Sequence, residues 1–75
     1  MSHFGFFIGS PLYIYILEVK INQSADVALQ QIEDKGYAQP FENDSRQLFK
    51  IGINFSTETK LIDDWKISDK QINSR

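Results

Sequence analysis

Glu18 and Lys20 close the apolar run YIYILEVKI, residues 13–21, two positions apart. In an extended strand, side chains alternate between faces, so residues i and i+2 project from the same one, about 6–7 Å apart. A carboxylate and an ammonium so placed suit phosphodiester hydrolysis. There the acid holds a divalent cation and the amine orients the attacking water or the phosphate. The competing reading is an ordinary charged strand end. Acid-x-Lys occurs four times in the chain, as Glu18-Val19-Lys20, Glu33-Asp34-Lys35, Glu58-Thr59-Lys60 and Asp64-Trp65-Lys66. The second falls on a predicted helix, where i and i+2 diverge. The third falls in a predicted turn, and the fourth on a hairpin face expected to meet solvent. Only the first ends an apolar strand and runs into a capped helix.

The elements that must position this pair follow from periodicity. Phe4 to Ile8 and Leu12 to Ile21 are β-prone runs separated by the turn signal Gly9-Ser10-Pro11. In the second run Tyr13, Tyr15, Leu17 and Val19 share one face; Leu12, Ile14 and Ile16 share the other, which Glu18 and Lys20 continue. Two apolar faces predict an interior strand covered on both sides. Ser24 is placed to cap a helix with Asp26 in its first turn. Ala25, Ala28, Leu29 and Ile32 form its apolar stripe, and Lys35-Gly36 its end. Gln39 to Ser45 reads as a polar loop, Gln47 to Ser56 as a strand, Ser56 to Thr59 as a turn and Lys60 to Ile67 as a final strand.

The order β-β-α-β-β predicts an α+β fold with an α/β-like core: a mixed four-stranded sheet whose single helix crosses between two parallel strands. Residues 1–67 form one domain in this reading, and 68–75 a polar tail. The face away from the helix carries aromatics and is left bare, which predicts a homo-oligomer, a dimer through that face or an edge strand.

Composition narrows the functional classes. A chain of 75 residues buries only about 60% of its unfolded surface, so its stability is expected to be marginal. It has no cysteine, which excludes disulfides and thiolate–metal sites and fits a reducing compartment. The net charge is −2, and the eight basic residues are scattered from Lys20 to Arg75. Nucleic acid as a partner would therefore be met without a basic patch. Phe4 to Leu17 is interrupted by Gly9-Ser10-Pro11 and falls short of the ~20 residues that span a bilayer, so a soluble, cytoplasmic protein is expected.

The string YIYILEVKINQSADVALQQIEDKGYAQPF, followed by LFKIGINFSTETKLIDDWKI, resembles the C-terminal part of the PD-(D/E)XK nuclease superfamily. Within it, the chain is similar to the bacterial group whose module follows an AAA-type ATPase-like domain. That group has a tyrosine-rich strand ending E-F-K and a helix S-A-E-E-A-L-x-Q-I running into K-G-Y-A. A strand like I-G-I-N-F-S and a closing W-x-V/I strand complete it. The likeness extends from Leu12 to Ile67. It implies that Glu18 is the metal-binding acid, Lys20 the catalytic lysine, Gln31 an accompanying glutamine and Tyr37 its tyrosine partner. It also implies Mg2+ or Mn2+ as cofactor.

The chain departs from that pattern upstream. The family carries an Asp on the strand before E-x-K, in a G-R-x-D context. Pairing the two N-terminal strands puts Gly5 in its place, and no acid precedes Glu18. His3, the only histidine, is the remaining upstream metal-ligating residue type. The portion resembling the ATPase and the helix that begins the nuclease core are not found. The reading is a truncated, degenerate nuclease-like domain with at most weak metal-dependent hydrolysis of DNA or RNA. The alternative is a non-catalytic interaction or dimerisation module derived from that fold.

Overall fold

A computed structural model describes residues 3–69. Strands β1 (His3–Gly9), β2 (Tyr13–Ile21), β3 (Gln47–Ser56) and β4 (Leu61–Asp69) form one sheet in the order β1-β2-β3-β4. The β1–β2 and β3–β4 pairs are antiparallel hairpins, and β2–β3 is parallel. Helix α1 (Ala25–Lys35) makes the crossover. The predicted α+β architecture is therefore the observed one.

Local chemistry accounts for each junction. The first hairpin turns where Ser10 Oγ accepts from Tyr13 N–H and Ser10 N–H donates to the Tyr13 carbonyl, with Pro11 between them. At the end of β2, Asn22 adopts a positive φ of 57° and its amide exchanges hydrogen bonds with Thr57, tying β2 to the end of β3. Ser24 Oγ accepts from Val27 N–H at 3.1 Å, the predicted N-cap. Gly36, at φ 67°, ends the helix in a Schellman motif: its N–H donates to the Glu33 carbonyl, and Tyr37 N–H donates to the Ile32 carbonyl.

The core lies between sheet and helix. Ile14, Ile16, Ile32 and Leu48 are buried at its centre, with Leu29, Tyr37, Ala38 and Phe41 packed against them. Gly52 seats the helix. A Cβ there would stand 2.5 Å from the Ala25 carbonyl oxygen and 3.0 Å from Leu29 N, while the fully buried Ala25 and Ala28 add little bulk.

Three expectations are corrected. The stretch expected to be a plain polar loop contains a 3-10 turn, Gln39–Phe41, which begins with Pro40 near its N-terminus and carries Phe41 onto the core. Strand β4 continues past Ile67 to Asp69, and the rest of the expected tail lies outside the described residues. Strand β2 is interior to the sheet, yet α1 covers only its Ile14 face, and Tyr13 on the other is 40% exposed. Among the described residues no helix is long and apolar enough to cross a membrane.

Candidate active site

Glu18 sits where three elements meet. Its strand partners are Gly5 on β1 and Gly52 on β3, so the carboxylate occupies a slot bordered on both sides by residues without a Cβ. The slot is tight. A Cβ added at Gly5 would fall 2.6 Å from Glu18 Oε1 and 3.1 Å from the Tyr37 ring. Helix α1 roofs this region through its seat on Gly52, and Glu18 is fully buried.

Lys20 projects from the same strand face and is 6% exposed. Its Nζ donates to Gln31 Oε1 at 3.3 Å. The helix phase that buries Ala28 and Ile32 brings Gln31 to this amine, and the cation is held by the dipole of a neutral amide. Tyr37 arrives by another route. The left-handed Gly36 reverses the chain at the helix end and turns Tyr37 back onto the core, against Gly5. Two contacts thus link the four residues: Lys20 with Gln31 on the helix, and Tyr37, just past the helix end, beside the Gly5–Glu18 pair.

Beside Gly5 lies a hollow of about 490 Å³ lined by Phe6, Phe7, Ile16, Tyr37, Pro40 and Phe41, with no basic side chain in it. Phe7 and Phe41 meet edge to face at 5.2 Å across it. His3 pairs with Lys20 in the backbone register, and its side chain lies outside what is described. Among the described residues no three histidine, cysteine or acidic groups come together as a cation site.

Sequence reasoning missed several residues. Asn54, opposite Lys20, is 3% exposed; its Oδ1 accepts from Gln23 N–H and its Nδ2 donates to Asp63. Asp64 accepts from Ala25 N–H at 2.9 Å, and Lys66 donates to Asp26. The fourth acid-x-Lys pair, on a face that stays exposed at Lys66, also clasps the start of α1, where an anion meets the positive helix end. The signal was there in part: Gly52 interrupts a bulky strand, which marks a close backbone approach. The polar side chains that alternate with it show which face must be satisfied.

A family model described as the PD-(D/E)XK nuclease superfamily matches residues 6–65, a span that includes Glu18, Lys20, Gln31 and Tyr37 and begins just after Gly5. No curated protein and no solved structure matches the chain.

Proposed function

The chain belongs to the PD-(D/E)XK nuclease superfamily, and from that premise we propose that it is a degenerate member whose cleavage of DNA or RNA is at most a trace activity. One observation carries this reading: Glu18 faces Gly5 across the β1–β2 pair. The position beside the acid that would supply a second carboxylate holds no side chain at all.

The residues present do not fit a resident Mg2+ or Mn2+. Such an ion is usually bound by one or two carboxylates together with substrate phosphates and keeps several waters. Glu18 is a single carboxylate, closed off from solvent and walled by the Tyr37 ring and an aromatic hollow. No catalytic step is therefore assigned to an ion here. Lys20 and Gln31 keep each other's hydrogen bond and in this reading serve to satisfy a buried cation.

Within the superfamily we place the chain in the bacterial group that follows an AAA-type ATPase-like domain. The order of its motifs supports this, from LEVK through IEDKGYA to IGINFS. The absence of cysteine accords with the reducing cytoplasm. The deciding experiment is a nuclease assay on single- and double-stranded DNA and on RNA with Mg2+ or Mn2+. Trace or no cleavage is expected. Robust cleavage lost in both Glu18→Ala and Lys20→Ala would overturn the proposal.

A further inference from the structure

We propose that the uncovered face of the sheet is the interface of a homodimer, with two copies packed face to face as a two-sheet sandwich. The first observation is a sorting of charge on the strands, although Asp69 at the end of β4 is in register with Phe49 of the other face. On β2, β3 and β4, between Tyr13 and Ile67, the charged side chains lie toward the helix. Glu18 and Lys20 are buried there, Lys50 pairs with Glu33, and Asp63, Asp64 and Lys66 hold Asn54 and the start of α1. The opposite face is apolar across the two central strands, from Tyr13 to Ile21 and from Phe49 to Phe55.

The second observation is the shape of that face. Tyr13, Tyr15 and Phe49 form an aromatic ridge over the β2–β3 pair, with Tyr15 and Phe49 stacked at 5.4 Å and 14°. Trp65 and Ile67 on β4, opposite Ile53 and Ile51, continue the apolar surface along the sheet and are 63% and 54% exposed. Monomeric proteins rarely leave so continuous an apolar surface in water.

The occupant follows from twist, charge and size. The two central strands carry no charge on this face from Tyr13 to Ile21 and from Phe49 to Phe55, which favours an equally apolar partner surface. Two copies share one sheet twist, and sheets of equal twist pack aligned at about 30° with side chains interdigitated. Four strands at about 4.8 Å spacing and about 30 Å long give a flat footprint of roughly 570 Å². Side-chain relief brings this toward the ~800 Å² per partner of a standard interface. The arrangement is isologous, so the ridge of one copy lies against that of its partner.

Trp65 is the only tryptophan, so its emission reports the face directly. Light scattering on the intact chain is expected to give twice the chain mass, with blue-shifted Trp65 emission that reverts on dilution. Tyr15→Lys, at the centre, is expected to give a monomer with solvent-like emission. Ile67→Lys, on an exposed position of β4, is expected to weaken the dimer at least tenfold and covers the case in which Tyr15→Lys fails to fold. A monomeric wild-type chain with solvent-like Trp65 emission would overturn the proposal. So would a dimer in which Trp65 stays open to iodide quenching, which would indicate edge-strand pairing instead. A dimer unmoved by Ile67→Lys, with native circular dichroism, would overturn it as well.

Discussion

At the scale of residues, the decisive pair is Gly5 and Glu18. A carboxylate at position 5 would project beside Glu18, and the nearest atom it would meet, Oε1 at 2.6 Å from the new Cβ, is the end of a flexible side chain. Gly5→Asp therefore requires the Glu18 carboxyl to shift within a slot also bounded by the Tyr37 ring and the Leu17 carbonyl, and sets two carboxyl groups side by side there. The variant is expected to lose on the order of 2 kcal/mol of stability in metal-free buffer. Mn2+ about a hundredfold above its dissociation constant should recover most of that loss, because the ion binds only the folded state. Thermal melts with and without Mn2+ check this; a variant indifferent to the ion would show that position 5 is not the lost ligand site. A titrating pair, Asp44 and Arg46, lies elsewhere on the molecule. The Arg46 guanidinium, hydrogen-bonded through its side chain and backbone to Asp44, holds the Asp44 carboxyl down at about 2. A lowered carboxyl stabilises the fold above its unfolded value of 3.8 and loses that contribution as pH falls toward about 2. Chemical denaturation of wild type and Asp44→Asn should thus differ modestly at neutral pH and converge between about pH 4 and pH 2.

At the scale of elements, α1 was the most legible part of the chain, because its signals are local. Ser24, Asp26, the Ala25-Ala28-Ile32 stripe and Gly36 each act within a turn or two, and all take the predicted parts. The seat of α1 was not legible, since it depends on which strand the helix crosses. Gly52 supplies that seat with its missing Cβ, and Asp64 and Lys66 pin the helix start from a strand that is distant in sequence. Gly52→Ala would push a methyl against the Ala25 carbonyl oxygen, a backbone atom that cannot swing away. A loss of about 2–3 kcal/mol is expected in urea unfolding, with Lys20 and Gln31 drawn apart as the helix lifts. Gly5→Ala meets a movable carboxylate oxygen as its nearest neighbour, so it should cost less. Equal losses in the two variants would mean that the helix has no fixed seat.

At the scale of the whole molecule, the sheet order, the parallel central pair and the bare aromatic face could all be read from periodicity and topology rules. The contact of Gln31 with Lys20, and the approach of Tyr37 to Gly5 beside Glu18, could not be read that way. Strand alternation gave one pair, the family resemblance supplied the other two, and only the Schellman turn and the helix phase bring about these contacts. The same topology governs how the chain reaches its native state. Within each hairpin, partners such as Phe7 and Ile16 or Ile53 and Trp65 are near in sequence. The β2–β3 register instead joins Tyr13 to Gln47 and Glu18 to Gly52 across the entire helix and its loops. Loop closure of that length costs entropy before any contact repays it, so the hairpins are expected to form first and the parallel seam to close last. Until it does, the β1–β2 hairpin displays Tyr13 and Tyr15 of the ridge and the β3–β4 hairpin Phe49, each with an open strand edge beside it. The interval before the seam closes is therefore when this chain is most exposed to aggregation and to proteases.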